Sequence, residues 1–600
     1  MSQEQKHRYA LSAQHRLADT LKKRNPGMNK FDINVLSNAL VLKMLLSTSL
    51  LESSPDLILD WISNLYGRNS VEDVSKAYKA AATELRQHDV AYPWSSYDSR
   101  SFKRNGDILL SVRALFGPFM DRLESYLRGD SNPFSLEILL TVCEFESRIP
   151  IGSDNLAREA KRKYITFDHD MRYCVKQKTI SDLRDIIVPL VNSYPWHFAE
   201  GRHGPGAVSE LRSDSSYGSK ENVIQNTNRS LRFGRLYGQM TVGYPVGSLI
   251  RSRWVSVPKN VLTRRSIAAE PAINQYHQQS VFSEFLPFLK QLGINLEDQT
   301  KNQNYAQEGS IKRNFATIDL SSASDSIHRQ LVFDLFKGTK LFFPLFYSRT
   351  SEVDVDGTIV KLNKFCSMGS ACCFPLQCLI FYAIVQLAYR NVGCKQSRWA
   401  VYGDDILVVE EAYFETLKLL QECGFQVNQV KTFPPWHSYK ESCGGEYLLG
   451  FPVNPFRLPR NFEGVIGSSP RVDQLVDLCN ESFIRGFFPL RKFIIQELMQ
   501  HHPNRLYFSF CKDAGPGCLW TNRDPLDNDV IGLVDWQQDV IPVVVTKPRF
   551  SDEDRLCDLQ AWLKIAMFSN RKYGVQLPID KIENPRPIVT WVTTLTYVSV

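Results

Sequence analysis

The chain has 600 residues, of which 43% are hydrophobic and 22% are charged, and its formal net charge is +7. This composition is typical of a globular protein with a large core and more than one domain, and it excludes a low-complexity or fibrous chain. The mildly basic charge permits a nucleic-acid partner without requiring one. The thirteen cysteines include no C-x-x-C pair, which favours a reducing cytosol over a disulfide framework.

The first 200 residues are predicted to be mainly helical. Apolar residues recur at helical spacing in segments such as VSKAYKAAATELRQ (74–87) and ISDLRDIIVPLV (180–191). From about 245 to 456, predicted strands and helices alternate. Beyond 457 the pattern mixes helical segments with loop-rich stretches, so a domain boundary is expected near 457–470.

One segment, ACCFPLQCLIFYAIVQLA (371–388), is about long enough to cross a membrane. It contains Pro375, Gln377 and Gln386, which are unfavourable in a lipid-facing span. We therefore predict a buried helix within a large core rather than a membrane span.

The segment NFATIDL is predicted to form a strand that is followed by a helix. In that helix Ile327, Leu331 and Leu335 recur every four residues. Ser322 or Ser324 is the expected N-cap.

The segment WAVYGDDILVV (399–409) predicts two short strands joined at Gly403. Asp404 and Asp405 are adjacent between the two apolar runs, and burying two neighbouring carboxylates is costly unless a positive charge meets them. Side chains alternate along a straight strand, so the two acids would point to opposite faces. A turn with positive φ at Gly403 brings both acids to one edge.

A third carboxylate, Asp319, follows the apolar strand FATI. Adjacent central strands would put Asp319 beside Asp404. Three convergent carboxylates suit magnesium or manganese better than zinc, and two such ions can activate a hydroxyl and stabilise a leaving phosphate. A lone Asp-Asp pair is usually a solvated turn, but the upstream string DLSSASD favours a metal site here.

Several of these motifs resemble those of a known family. YGDD resembles motif C of viral RNA-directed RNA polymerases. INLEDQTKNQNYAQEGSIKRNFATIDLSSASDSI (294–327) resembles the replicase subunit of small positive-strand RNA bacteriophages, the leviviruses typified by Qbeta and MS2. The similar segments VPKNVLTRRSIAAEP (257–271), CSMG (366–369) and YKESCGGEYLLGFPVNPF (439–456) lie in the family's order. The resemblance covers about 254–456, roughly a third of the chain.

The resemblance implies an α+β fold, a right-hand polymerase with a palm, fingers and a helical thumb. The palm is an antiparallel sheet flanked by helices. The implied division is an amino-terminal, mainly helical region contributing to the fingers (1–245), a fingers segment with a basic nucleotide-binding motif (246–314), the palm with the catalytic motifs (315–456), and the thumb with the carboxyl-terminal region (457–600).

The resemblance also implies a metal site. Asp319 is similar to the motif A ligand, and Asp404 and Asp405 match motif C, with Asp405 the less certain third ligand. The carbonyl of Leu320 is a further candidate oxygen. The implied cofactor is a pair of Mg²⁺ ions, for which Mn²⁺ can substitute.

Three basic residues, Lys259, Arg264 and Arg265, lie in the segment that resembles motif F, where basic side chains hold the incoming triphosphate. Arginine suits this role because its planar fork donates hydrogen bonds in pairs. Lys431 resembles the motif D lysine, a candidate general acid for the departing pyrophosphate, and a surface lysine without that role is the alternative.

Asp325 matches the second acid of motif A, which in this family faces the ribose of the incoming nucleotide. The alternative is an acid that stabilises a helix start. Ser367 and Gly369 match motif B and are candidate nucleotide-binding residues.

Motif B also departs from the family pattern. Relatives read close to SMGNGxTFELES, whereas this chain reads SMGSACCFPLQC. Ser370 and Cys373 replace the usual Asn and Thr, and Pro375 is expected to interrupt the start of the helix. These changes suggest a distant member of the family.

The function that the resemblance implies is RNA-directed RNA synthesis that copies a phage genome from ribonucleoside triphosphates. A reverse transcriptase is the nearest alternative enzyme, but small residues (321–324) follow the motif A aspartate where those enzymes usually carry an aromatic gate. A non-catalytic RNA-binding assembly subunit is the alternative outside enzymes. The implied partners are template and product RNA, the host elongation factors Tu and Ts and, in some members, a ribosomal protein. The implied location is the cytoplasm of the infected bacterial host, without a membrane.

Overall fold

The protein is described by a computed structural model. It covers residues 3–92, 110–150, 154–198, 251–460, 462–466 and 472–501, with the short pieces 201–202, 206–210, 232–233, 242–243, 507–509, 518–520, 540–549 and 590–599.

The amino-terminal region is helical, as predicted. Asn29 and Ser70 cap the second and fourth helices, each accepting a hydrogen bond from a backbone N–H three residues ahead. The helices are α1 (Gln3–Arg24), α2 (Lys30–Leu51), α3 (Pro55–Arg68), α4 (Val71–Gln87), α5 (Val112–Phe116), α6 (Met120–Leu127), α7 (Pro133–Glu144), α8 (Asp154–Asp170) and α9 (Gln177–Ser193).

The remaining described helices lie between and after the strands. They are α10 (Ala272–Gln291), α11 (Thr300–Lys312), α12 (Arg329–Phe336), α13 (Phe342–Ser348), α14 (Cys373–Val392), α15 (Tyr413–Glu422), α16 (Val472–Ile484) and α17 (Phe488–His501).

The described strands form several small sheets. They are β1 (Arg232–Phe233), β2 (Val242–Gly243), β3 (Ser252–Asn260), β4 (Thr263–Ala269), β5 (Phe315–Ile318), β6 (Leu320–Ser321), β7 (Glu352–Val355), β8 (Thr358–Lys361), β9 (Trp399–Tyr402), β10 (Asp405–Val409), β11 (Gln426–Val427), β12 (Tyr439–Ser442), β13 (Gly445–Leu448), β14 (Phe451–Pro452), β15 (Tyr507–Ser509), β16 (Cys518–Trp520), β17 (Val540–Arg549) and β18 (Thr590–Ser599).

The central sheet has three antiparallel strands in the order β5-β10-β9. Its two faces are covered by different helices, because successive side chains of β10 point to opposite sides. Ile406 and Val408 belong to the core that includes α14, whereas Leu407 packs with Ala306 of α11. An antiparallel sheet flanked by helices is the architecture that was predicted for the palm.

Two other sheets carry residues in or beside the predicted site. The β3–β4 hairpin, which carries the basic residues, belongs to a four-stranded sheet in the order β4-β3-β7-β8. The strands β12, β13 and β14 form a second antiparallel sheet, and α11 packs against it.

A buried charge network joins the amino-terminal helices to this second sheet. Arg86 of α4 donates to Glu144 at 2.6 Å and to Glu446 at 2.8 Å. Arg457 also pairs with both carboxylates, and the two arginines hold the pKa of Glu144 below its usual range against the opposing effect of burial. Because such a network is stable only when every charge is paired, it fixes α4 and α7 relative to β13.

The structure corrects two expectations about helix starts. The helix after β5 begins at Arg329 and is capped by His328, whose ring accepts from the N–H of Gln330. Ser322 instead has a φ of +53° and precedes a short 3₁₀ turn. Pro375 does not interrupt α14, because it is the third residue of the helix, where the backbone N–H has no partner within the helix.

Two described helices, Lys30–Leu51 and Cys373–Val392, are long and apolar enough to cross a membrane. Most of each apolar window is buried inside the protein, 72% and 78% respectively. The second helix is the one predicted as a buried core helix, and the burial of its residues confirms that prediction. The division of the chain into fingers, palm and thumb at the boundaries given above stays a prediction.

Candidate active site

The YGDD segment forms the predicted hairpin. Tyr402 of β9 pairs with Asp405 of β10, and Gly403 and Asp404 make the connecting turn. Gly403 has a φ of +62°, and a Cβ at this position would lie 2.3 Å from the ring of Phe374. The turn therefore requires glycine for its backbone conformation and for the close approach of the aromatic ring.

The pairing of β5 with β10 brings the third acid to the same edge. The last paired residues are Ile318 and Ile406, and continuing this register by one residue puts Asp319 opposite Asp405. The expected neighbour of Asp319 was Asp404, so the register refines that expectation. Asp404 is nevertheless close enough for its charge to raise the pKa of both other acids.

Asp319 is held by the segment that follows β11. The amide of Asn428 donates to Oδ2 of Asp319 at 2.7 Å, and its backbone N–H donates to the Asp319 carbonyl at 2.9 Å. Burial raises the pKa of Asp319 to about 6, with Asp404 and Glu441 adding to the effect and Lys431 and Asn428 opposing it.

Asp405 faces the β12–β13 hairpin. Its Oδ1 accepts the backbone N–H of Cys443 at 3.1 Å and the hydroxyl of Ser442 at 3.3 Å. Burial raises the pKa of Asp405 to about 6, and the charges of Asp404 and Asp319 raise it further against the N–H of Cys443.

This set of donors fits hard divalent cations, because it consists of carboxylate oxygens in a site that accumulates negative charge. Burial is the main cause of the raised pKa values of Asp319 and Asp405, and the charge of Asp404 raises both further. Within the described residues, however, no three His, Cys, Asp or Glu side chains converge as a ligand set. Leu320 is buried in β6, where it pairs with Val427 of β11.

Lys431 lies beside the acids. Its Nζ is 3.6 Å from a carboxylate oxygen of Glu441. The charge of Glu441 raises the pKa of Lys431, as do those of Asp319 and Asp405, against the effect of burial. The amino group is therefore protonated at neutral pH, as a general acid must be.

The basic residues of the β3–β4 hairpin differ in their surroundings. Arg264 donates to the hydroxyl and the carbonyl of Ser256, at 2.6 and 2.8 Å, and so braces its own hairpin. Lys259 and Arg265 are exposed. Desolvation lowers the pKa of Lys259, and the repulsion of Arg265 and Lys431 lowers it further. Crowded positive charges of this kind favour an anionic ligand.

The two motif B residues have different environments. Ser367 is buried, and its hydroxyl lies 2.7 Å from that of Tyr164, so direct contact of Ser367 with a nucleotide stays a prediction. Gly369 is exposed with a φ of +123°, and a Cβ there would lie 2.1 Å from the carbonyl oxygen of Ala268. Glycine at this position lets the motif B loop pack closely on β4.

Asp325 is partly exposed and forms an ion pair of 2.8 Å with Lys364. It lies in the 3₁₀ turn after β6.

Sequence reasoning missed four residues that contact the site. Asn428 and Glu441 lie within segments that were recognised for other reasons, NQVKTF and YKES. Lys364 and Tyr164 carried no local signal, since a single lysine beside an apolar residue and a tyrosine in an amphipathic helix are common.

Comparisons with known proteins identify the family to which the chain belongs. A family model described as RNA replicase, beta-chain, matches residues 159–467, just over half of the chain. The chain belongs to the RNA replicase beta-chain family. This confirms the resemblance to levivirus replicases.

Several curated relatives are similar to this chain over 34–39% of its length. The RNA-directed RNA polymerase beta chain of Enterobacteria phage GA is 38% identical over 232 residues, 39% of this chain and 41% of that relative. The beta chain of Escherichia phage MS2 is 38% identical over 34% of this chain and 37% of its own length. Subunit beta of Escherichia virus Qbeta is 38% identical over 34% of this chain and 34% of its own length. The similarity thus spans about two fifths or less of each relative.

A solved structure described as an "RdRp complex" is similar to this chain with a TM-score of 0.53 and 11% identity, over 80% of this chain and 49% of the other. At this identity the likeness shows the fold alone. The predicted α+β polymerase fold is confirmed.

Proposed function

We propose that this protein is an RNA-directed RNA polymerase that replicates the genome of a positive-strand RNA phage. The observation that carries the proposal is the strand register, which puts Asp319 opposite Asp405 at one edge of the central sheet, with Asp404 in the adjoining turn. Lys431 is close enough for the charge of Asp319 to raise its pKa, and the chain is a member of the replicase beta-chain family. The reaction is the attack of a 3′-hydroxyl on the α-phosphate of a ribonucleoside triphosphate, with release of pyrophosphate.

Asp319, Asp404 and Asp405 would hold divalent cations, in the proposal two Mg²⁺ ions for which Mn²⁺ can substitute, with the Leu320 carbonyl as a further oxygen. When bound, such ions lower the pKa of an attacking hydroxyl and stabilise negative charge on phosphate oxygens. The proposal is supported by the mutual repulsion of these carboxylates, because the charge of Asp404 raises the pKa of both Asp319 and Asp405 and a bound cation would offset that repulsion.

The other residues act on the nucleotide. Lys259 and Arg265, with Arg264 bracing the hairpin, attract the triphosphate, because their charges are close together and exposed. Lys431 holds a proton beside the acids and delivers it to the departing pyrophosphate.

Ribose recognition involves the motif A and motif B segments. Asp325 accepts a hydrogen bond from the ribose, and Ser367 and Gly369 shape the loop next to it.

The test is a polymerisation assay with an RNA template, in which Asp404→Asn is compared with Asp60→Asn. Asp404→Asn should lower the rate by about a hundredfold or more, because a lost carboxylate weakens transition-state stabilisation. Asp60 lies on α3 in an exposed ion pair with Arg16, so its variant should retain the wild-type rate. Near-normal synthesis by Asp404→Asn in magnesium would overturn the metal assignment. Incorporation of deoxyribonucleotides in preference to ribonucleotides would point to a reverse transcriptase.

The proposed partners are RNA template and product, ribonucleoside triphosphates, and the host elongation factors Tu and Ts, with a ribosomal protein as a further candidate. The proposed place of action is the cytoplasm of the infected bacterium. Family membership supports these assignments. Purification from infected cells, with identification of the host proteins that co-purify, tests them directly.

A further inference from the structure

A buried lysine lies behind the residue proposed to contact the ribose. The side chain of Lys364 is 1% exposed, and its Nζ donates to Oδ1 of Asp325 at 2.8 Å. A buried ammonium without a partner has a high free energy, so separating Lys364 from Asp325 would be strongly unfavourable. Asp325 itself is 28% exposed, and among the described residues its Oδ2 has no hydrogen-bond donor. One oxygen is therefore fixed by the protein, and the other is available to accept a hydrogen bond from a ligand.

The same lysine contacts an aromatic ring from a distant part of the chain. Nζ of Lys364 lies 3.7 Å from the ring centroid of Tyr164 on α8, a cation–π contact. The hydroxyl of Tyr164 lies 2.7 Å from the hydroxyl of Ser367. A continuous chain of contacts thus runs from Asp325 through Lys364 and Tyr164 to the motif B loop.

The segment that carries Lys364 is fixed on both sides. Asp168, also on α8 and 1% exposed, accepts the backbone N–H groups of Asn363 and Lys364 at 2.9 and 3.0 Å. On the other side, the carbonyl of Asn363 accepts the N–H of Arg329 at 2.9 Å. The lysine is therefore held at both its backbone and its amino group.

We propose that Lys364 and Tyr164 are positioning residues for ribose selection, because they fix the Asp325 carboxylate relative to the motif B loop so that its free oxygen meets the 2′-hydroxyl. This inference rests on the proposed polymerase function. The substrate class that it names is the ribonucleotide, and the property that it assigns to α8 is discrimination against deoxyribonucleotides. Without the lysine, the carboxylate is free to rotate and its hydrogen bond to the 2′-hydroxyl weakens.

The experiment compares ATP with dATP on one RNA template and reports the ratio of the two kcat/KM values. Lys364→Met removes the charge at similar volume, and we expect the ratio to fall about tenfold or more, since a hydrogen bond to a charged group is lost. The fall should come from a higher KM for ATP, with kcat/KM for dATP little changed. Lys161→Met is the matched control, because Lys161 lies on α8, the helix that carries Tyr164, in an exposed pair with Asp356. Its ratio should equal that of the wild type.

Tyr164→Phe provides a second, milder variant that keeps the ring over the lysine and removes only the hydroxyl. It should lower the ratio about two- to tenfold, the range expected for one neutral hydrogen bond. If Lys364→Met does not fold, as judged by thermal unfolding, this variant decides the question. An unchanged ratio in a folded variant, or an equal loss of activity with both nucleotides, overturns the inference.

A binding measurement separates the inference from the proposed function. Equilibrium binding of ATP and dATP to the full-length protein with template RNA needs no turnover. If the wild type makes no RNA, the polymerase proposal fails, while a preference for ATP that Lys364→Met abolishes still supports the positioning role. If the wild type makes RNA but Lys364→Met keeps the same preference for ATP in binding and in turnover, the positioning role alone fails.

Discussion

Replacing Asp405 by Asn should stabilise the metal-free protein at neutral pH. The pKa of Asp405 is raised to about 6 from a reference value of 3.8. A carboxyl with a raised pKa in the folded state binds its proton more tightly there than in the unfolded chain. Its contribution to stability is therefore complete below about pH 4 and is lost as the pH rises to about 6. Asn does not ionise, so the variant does not lose stability as the pH rises. Its Oδ1 can still accept a hydrogen bond from the N–H of Cys443.

The size of the effect follows from the two pKa values. The ionised Asp405 should cost the wild type about 2 kcal/mol at pH 5 and about 3 kcal/mol at pH 7.5. The variant should therefore exceed the wild type in stability at pH 7.5, and the advantage should be smaller at pH 5.

The assay is thermal unfolding of both proteins in a chelator at the two pH values, repeated at pH 7.5 with magnesium. The variant should melt a few degrees higher at pH 7.5 without metal. Magnesium should raise the melting temperature of the wild type more than that of the variant, because a ligand stabilises the state that binds it. A variant that is less stable than the wild type by the same amount at both pH values would refute the reasoning.

Two further predictions concern residues around the site. Burial raises the pKa of Glu270 from 4.5 to about 7, so the wild type should lose stability as the pH rises from about 4.5 to about 7. Glu270→Gln should reduce this loss by up to about 3 kcal/mol. Equal pH profiles of the two proteins in thermal unfolding would contradict this prediction. Gly403→Ala should destabilise the protein by about 1–2 kcal/mol from the backbone conformation alone. The clash of the added Cβ with the ring of Phe374 should increase this loss of stability. Urea unfolding measures the change, and Phe374→Leu in the same chain should recover part of it.

The local sequence was enough to predict the parts of the site that depend on neighbours along the chain. The hairpin at Gly403 follows from two apolar runs and a glycine, and the structure has it. The helix Cys373–Val392 follows from its apolar length. The identity of the acids is visible because carboxylates after buried strands are rare without a charge to meet them.

The start of the helix after β5 could not be predicted from the local sequence. Ser322 and Ser324 are good N-cap residues by type, but a 3₁₀ turn intervenes and His328 is the cap. Which of several suitable residues caps a helix depends on where tertiary packing lets the helix begin.

By itself, the sequence determined the family, the order of the motifs and the chemical type of the acidic and basic groups, because each is encoded in short contiguous stretches. Only the tertiary structure decided which groups meet. The register of β5 on β10 puts Asp319 opposite Asp405, Asn428 reaches Asp319 from 109 positions away, and Tyr164 reaches Ser367 across 203 positions. Contacts at such separations come from the packing of whole helices and strands, and the residues that make them carry no local pattern that sets them apart from ordinary core or surface residues.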